Sequence, residues 1–322
     1  MEMFLEGQVR ADDDALVKTH GHFEGNLRDI CRVAQREDAG VVLSTVGVNL
    51  KDCAPFASLH AMNLGESAVK RWKEAYELGV GHSKAGRWSE AVVAYEAAAA
   101  IDDAHAELHY RLARCQESLG RHDEALASYS LARDLDTLRF RADTRINEII
   151  RRVAADEGAV LAEAETRLAE AAPHGITGSE SFFEHVHLRF EGNVVVARAL
   201  ADAAEEALPD WVRQRRSMGA PLSAEQCAER MGYTPLARYE DLGSIIEMMD
   251  KPPFTNQLHH GNELAALRGK RESLAGWAAG EQAKEALTRM RRVADAGDAR
   301  PRLRAHFAST LLKYGGDPAE AE

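Results

Sequence analysis

The chain has 322 residues, 45% of them apolar and 29% charged, with a formal net charge of -12. That length suffices for two or three domains with cores of their own, and the acidic balance argues against general nucleic-acid or anionic-membrane binding. The four cysteines, Cys31, Cys53, Cys115 and Cys227, form no C-x-x-C pair and read as free thiols of a reducing compartment. No apolar run approaches the roughly 18 residues of a membrane span. Met1-Glu-Met-Phe-Leu-Glu6 carries acid where a signal peptide carries base, so a cytoplasmic protein is expected.

In chain order, residues 1–20 are polar and read as loop or short helix. Phe23, Leu27, Ile30, Val33 and Ala34 recur at three and four residues, the stripe of an amphipathic helix, which Asp38-Ala-Gly40 ends. The β-branched run from Val41 to Val48 reads as a buried strand. Asn49 to Leu64 is loop. Aligning the chain with itself at a shift of 34 pairs Leu78 with Leu112, Gly86 with Gly120, Ala91 with Ala125, Tyr95 with Tyr129, Ala98 with Ala132 and Asp102 with Asp136. That period and those residue types are those of the tetratricopeptide repeat. The glycines suit the turn between two helices, the alanines let the helices approach, and the tyrosines fill the space between repeats. Two repeats, from Trp72 to Asp136, fall short of the three or so a free stack needs, and a helix over 138–155 is the expected cap.

Ala159-Val-Leu161 reads as a second strand and residues 166–172 as a short helix ended by Pro173. A glycine-marked loop leads into Ser181–Asn193, and Asn193 can N-cap a helix over 194–208. Strand, helix and strand restore an α/β pattern, with the repeats inserted between two strands of one sheet. The C-terminal third reads as helical, with a capping box at Ser223-Ala-Glu-Gln226 and a break at Pro252-Pro253. Residues 303–313 followed by Gly316-Asp-Pro-Ala-Glu-Ala321 match the first helix and turn of a further, partial repeat. The expected division is 1–66 and 156–215 as two parts of an α/β domain, 67–155 as repeats with their cap, and 216–322 as a helical region.

In Ser181-Phe-Phe-Glu-His-Val-His187 an acid stands three residues before a histidine. This is a spacing in which a carboxylate orients an imidazole acting as base. The run Glu184-His-Val-His-Leu-Arg-Phe-Glu-Gly-Asn193 resembles the last motif block of SGNH/GDSL-type hydrolases. The stretch from Val41 to Phe56 resembles the strand and loop that precede it in members carrying tetratricopeptide repeats. The resemblance implies a partial three-layer parallel sheet and hydrolysis of an acyl ester. It makes His187 the general base and Glu184 the acid, where the family usually has Asp. It implies a nucleophilic serine in a Gly-Asp-Ser block, for which Gly65-Glu-Ser67 is poorly placed. Met1–Asp12 is similar to an internal segment of the family, so the chain is expected to begin partway through the hydrolase domain and to be inactive alone. Asn49, Lys51 and His185 are candidates for lining the substrate site, since ligands gather at carboxyl ends of strands. His185-x-His187 and His259-His260 lack supporting acid or cysteine at metal spacing, and no metal or cofactor is expected. The repeats imply a protein or peptide partner in their groove. Leaving the sheet near His187, they would recruit or gate the substrate. A non-catalytic repeat scaffold is the alternative.

Overall fold

A computed structural model describes residues 6–215, 219–296 and 301–315. The described residues are mostly helical, 66% of them in helix, and the chain clusters into two compact units. One is Met1–Arg216 with Pro252–Leu258, the other Ser217–Lys251 with His259–Glu322.

In the first unit, α1 (Asp14–Arg36) is capped by Asp13, whose side chain accepts the Ala15 N–H. Strand β1 (Val42–Ser44) pairs in parallel with β2 (Val160–Ala162), Leu43 opposite Leu161. Everything from 45 to 159 therefore lies in one crossover. Among the described residues these two short strands are the whole sheet, smaller than the partial three-layer sheet expected. The Val41–Val48 run shortens to three paired residues because the backbone beyond Thr45 is bound elsewhere. Val46 exchanges both of its backbone hydrogen bonds with the Asn147 side chain, and Asn49 N–H donates to His185.

The crossover holds α2 (Glu66–Lys84), α3 (Trp88–Ala99), α4 (Ala106–Ser118) and α5 (His122–Leu135), two antiparallel helix pairs. Gly86 and Gly120 sit at their turns with φ of +71° and +74°, the left-handed region that glycine enters without steric cost. Ala91, Tyr95, Ala98, Leu108 and Leu112 close the core between the pairs. Burial differs between equivalent positions, however. Leu112 packs on the first pair at 7% exposure, whereas Leu78, with no pair before it, is 56% exposed.

The outer side of the second pair is covered by loops. Tyr110, Ala113, Ala125, Tyr129 and Ala132 share a core with Val48, Leu50, Ala54 and Ile176. Helix α6 (Thr144–Glu157), the expected cap, packs elsewhere: Ile149, Ile150, Val153 and Ala154 join Cys31 of α1 and Leu43 of β1. Its apolar stripe is needed to cover the sheet. The repeat-equivalent aspartates, both buried, tie down one loop. Asp136 accepts the N–H groups of Phe56 and Ala57, and Asp102 binds His60 Nδ1 at 2.6 Å.

After β2 come α7 (Ala164–Ala171), the 181–189 loop, α8 (Phe190–Ala207) and α9 (Asp210–Arg213). Helix α8 starts earlier than expected, with Arg189 at the N-cap and Asn193 inside the first turn. Asn193 Nδ2 instead donates to the Leu188 and Arg189 carbonyls.

The second unit contains α10 (Ala224–Met231), α11 (Pro235–Met249), α12 (His260–Glu272), α13 (Gly280–Ala294) and α14 (Pro301–Tyr314). The Ser223/Gln226 capping box forms as expected. Leu236, Ala286, Leu287, Met290, Phe307 and Leu311 make the core. The expected turn at 316–321 lies outside the described residues.

Candidate functional site

The loop around Glu184 is a tight antiparallel turn. Phe182 bridges Leu188, Phe183 N–H donates to the His187 carbonyl at 2.8 Å, and Arg189 N–H donates to that of Ser181 at 2.8 Å. Phe182, 1% exposed, anchors it. At the exit, a Cβ on Gly192 would come within 2.4 Å of the Ser181 carbonyl oxygen, so the first turn of α8 lies directly on the loop only because this residue has no side chain.

Turning the chain this tightly folds Glu184 inward, to 3% exposure. Its carboxylate is then met by backbone N–H donors of the same turn: His185 to Oε2 at 2.5 Å, and His187 to Oε1 at 2.8 Å. Oε1 also accepts from Nδ1 of His187, whose side chain is 56% exposed. The pair joins a buried carboxylate to an exposed imidazole through Nδ1, which leaves Nε2 as the other titratable position. That is the arrangement of an oriented general base. Among the described residues, no serine hydroxyl hydrogen-bonds His187.

Asn49 lies beneath this turn at 1% exposure. Its N–H donates to the His185 carbonyl at 3.0 Å. Its Nδ2 donates to the Glu184 carbonyl at 2.8 Å, and its Oδ1 accepts the Asp52 N–H. Lys51 Nζ faces Glu180 at 3.4 Å with 15% of the side chain exposed. Its carbonyl accepts the Tyr110 hydroxyl at 2.7 Å. Both candidates support the loop from within. Arg141, which no motif or spacing singles out, is the post behind them. Its Nη1 donates to the carbonyls of Asn49 and Cys53 at 3.0 and 2.9 Å, and its Nη2 pairs with Asp136 at 3.2 Å.

Glu184, His185 and His187 bring three metal-ligating atoms within 4.8 Å of one another. Two features oppose a dication there. The carboxylate already accepts backbone N–H groups, and the positive charge of Arg141 acts on His185. Burial, chiefly, and then the charges of Arg141 and His187 push the His185 imidazole down to about 3. The cluster is better suited to hydrogen-bond chemistry than to binding a cation.

On the repeats, Tyr76 of α2 meets α4. Its hydroxyl donates to Glu107 at 2.6 Å, Arg111 donates to the same carboxylate at 2.8 Å, and the Arg111 guanidinium lies 5.6 Å from the Tyr76 ring centre. This polar and aromatic seam joins the first helices of the two pairs, the helices that line the groove of such repeats.

Comparison with known families agrees with this part of the chain. Residues 83–138 match the tetratricopeptide repeat family. The match does not reach Glu184 or His187, and no curated protein matches the chain. The chain thus carries a tetratricopeptide repeat in a mostly helical fold, which suggests a protein-interaction role. Among the described residues, no helix is long and apolar enough to cross a membrane.

Proposed function

We propose that the chain binds a protein or peptide partner through its repeats. The observation that carries this reading is the two-pair stack, of which the end of α2 and all of α3, α4 and α5 lie within residues 83–138, the stretch that matches the tetratricopeptide family. Tyr76 and Arg111 offer a ring and a guanidinium on the face where such repeats take their ligands. Photo-crosslinking from α2 tests it, in the wild type and in Tyr76→Ala and Arg111→Gln variants of native circular dichroism. A partner crosslinked to the wild type and lost in both variants supports the reading. A crosslinking pattern that ignores both substitutions removes it.

A second reading is favoured by the Glu184–His187 pair. In it, His187 is the general base and then acid of an ester hydrolase, oriented by Glu184, and a serine attacks the acyl group. Asn49 and Lys51 then position the loop rather than touch substrate. A fluorophosphonate probe on the protein purified from its source tests this. Serine labelling that disappears in His187→Ala supports it. Absent labelling, or labelling indifferent to that change, sinks it.

A further inference from the structure

Three pairs of histidine rings lie side by side among the described residues, and their spacing tells them apart. Zinc holds an imidazole nitrogen at about 2.0–2.1 Å in a tetrahedral shell, which puts the centres of two bound rings roughly 5 Å apart. His122 and His174 stack 3.6 Å apart with 4° between their planes, too close and too parallel to aim at one ion. His185 and His187 stand 6.1 Å apart, beside a carboxylate that the backbone already holds. His60 and His105 stand 5.1 Å apart with 44° between their planes.

The His60 ring is fixed for such use. Its Nδ1 lies 2.6 Å from Asp102 Oδ2, and the Asp102 side chain is 1% exposed. A carboxylate only accepts, so in the neutral ring the proton sits on Nδ1 and the lone pair on Nε2. A carboxylate behind the imidazole is the support that metal-bound histidines carry. Nε2 has no hydrogen-bond partner among the described residues, and the side chain is 32% exposed. Arg10 fixes the backbone of the same residue, donating to the His60 carbonyl from Nε and Nη2 at 3.1 and 2.8 Å. His105, at the N-cap of α4, has a buried Nδ1 with no hydrogen-bond partner among the described residues. The Trp72 ring packs on both, with centres 4.6 Å from His60 and 4.8 Å from His105. The positive end of α4 opposes a cation here, and the carboxylates of Asp102 and Glu107 answer it.

We propose that His60 and His105 form a site for a divalent transition metal, zinc foremost, with Asp102 as the positioning carboxylate and the other positions left to water. Imidazole donors select such ions over magnesium or calcium. The ion ties the loop that carries His60 to the start of α4, beside the groove seam, where the Tyr76 ring centre is 6.1 Å from that of His105. This site is independent of both functional readings.

Titration calorimetry of the full chain with zinc chloride, and visible and NMR spectra with cobalt(II) in its place, test it. One ion per chain is expected, with the intense visible bands of tetrahedral cobalt and the largest ring shifts at His60 and His105. His60→Gln and His105→Gln should each weaken binding at least about tenfold, and Asp102→Asn about ten- to a hundredfold, the cost of losing a ligand's carboxylate support. His187→Gln should leave binding unchanged. The proposal is overturned if neither ion binds, or if binding survives both histidine changes. It is equally overturned if binding is lost in His187→Gln, which would put the ion on the Glu184 turn. Should a variant not fold, the cobalt-shifted rings of the wild type decide alone: shifts at His60 and His105 support the site, and shifts at other histidines remove it.

Discussion

Replacing Arg141 with methionine should cost the first unit about 3–5 kcal/mol, the range for breaking a buried ion pair by removing one partner. The side chain is 3% exposed and its partner Asp136 4%. Methionine fills much of the volume but donates nothing, so the carbonyls of Asn49 and Cys53 each lose a bond from a charged donor. Bonds of that kind contribute roughly 1.5–3 kcal/mol each. Asp136 is left a buried charge, although the N–H groups of Phe56, Ala57 and Leu138 still reach it. Those three bonds pull the cost toward the lower end. At about 2–4 °C per kcal/mol for a unit of this size, melting should fall by roughly 6–20 °C. Urea unfolding followed at Trp72, 4% exposed in the repeat core, measures the change. Adding Asp136→Asn should cost less than the sum of the two single changes by about 1–3 kcal/mol, because the pair is coupled. A loss under about 1 kcal/mol, or strict additivity, would show that Arg141 is not the post that the loop rests on.

The equivalent leucines should differ sharply. Leu112→Ala is expected to cost about 2–4 kcal/mol and Leu78→Ala under about 0.5 in urea titrations, following their exposures of 7% and 56%; equal costs would refute the open first face. Gly79→Ala would put a Cβ 2.5 Å from the buried Tyr95 ring. It should destabilise by about 1–3 kcal/mol despite alanine's better helix propensity, and a stabilised variant would contradict the packing. Stability should also fall on acidification. His185 is pushed down to about 3 and His105 to about 4, both mainly by burial, from 6.5 in the open chain. The unfolded state therefore takes protons first as pH drops through 6.5. The native state loses up to about 1.4 kcal/mol per pH unit for each group until its folded value is reached. Calorimetry between pH 6.5 and 5 should show this slope, and His185→Phe should reduce it. A flat profile would mean that these rings are not held neutral.

What could be read in the sequence was what repeats or what is local. The 34-residue period places Gly86 and Gly120 at turns and Tyr95 and Tyr129 in cores, since each repeat meets the same steric demands. The Glu184–His187 contact spans three residues within one turn, so spacing alone points to it. The rest depends on distant partners. The box around His185 is drawn from Phe56, Phe140 and Phe254, which no local pattern connects. Asn49 looks like a polar loop residue until the Glu184 loop closes over it. The apolar stripe of α6 was legible, but not that it would cover Leu43 rather than the repeats. The sheet was overestimated because, of the β-branched residues after Ser44, Val48 packs against Ile176 and the second repeat without pairing as strand, while Val46 is 43% exposed and gives its backbone hydrogen bonds to Asn147.

These partnerships bear on how the two proposed functions can be separated. Val48, Leu50 and Ile176, which flank or carry the site loop, share one core with Tyr110, Ala113 and Tyr129 of the second repeat, and Val186 packs against it. The Tyr110 hydroxyl holds the Lys51 carbonyl, two residues from the asparagine that holds Glu184. Excising residues 68–154 would strip this core along with the groove. Lost activity after such a deletion would then say nothing about recruitment. Arg111→Gln removes a guanidinium from the groove while leaving Tyr110 and its core in place. If partner binding and site chemistry are separate, that variant loses the partner and keeps serine labelling. If both fall together in a protein of unchanged stability, the groove and the loop are coupled through Tyr110, and Tyr110→Phe should then weaken labelling with the groove's own side chains intact.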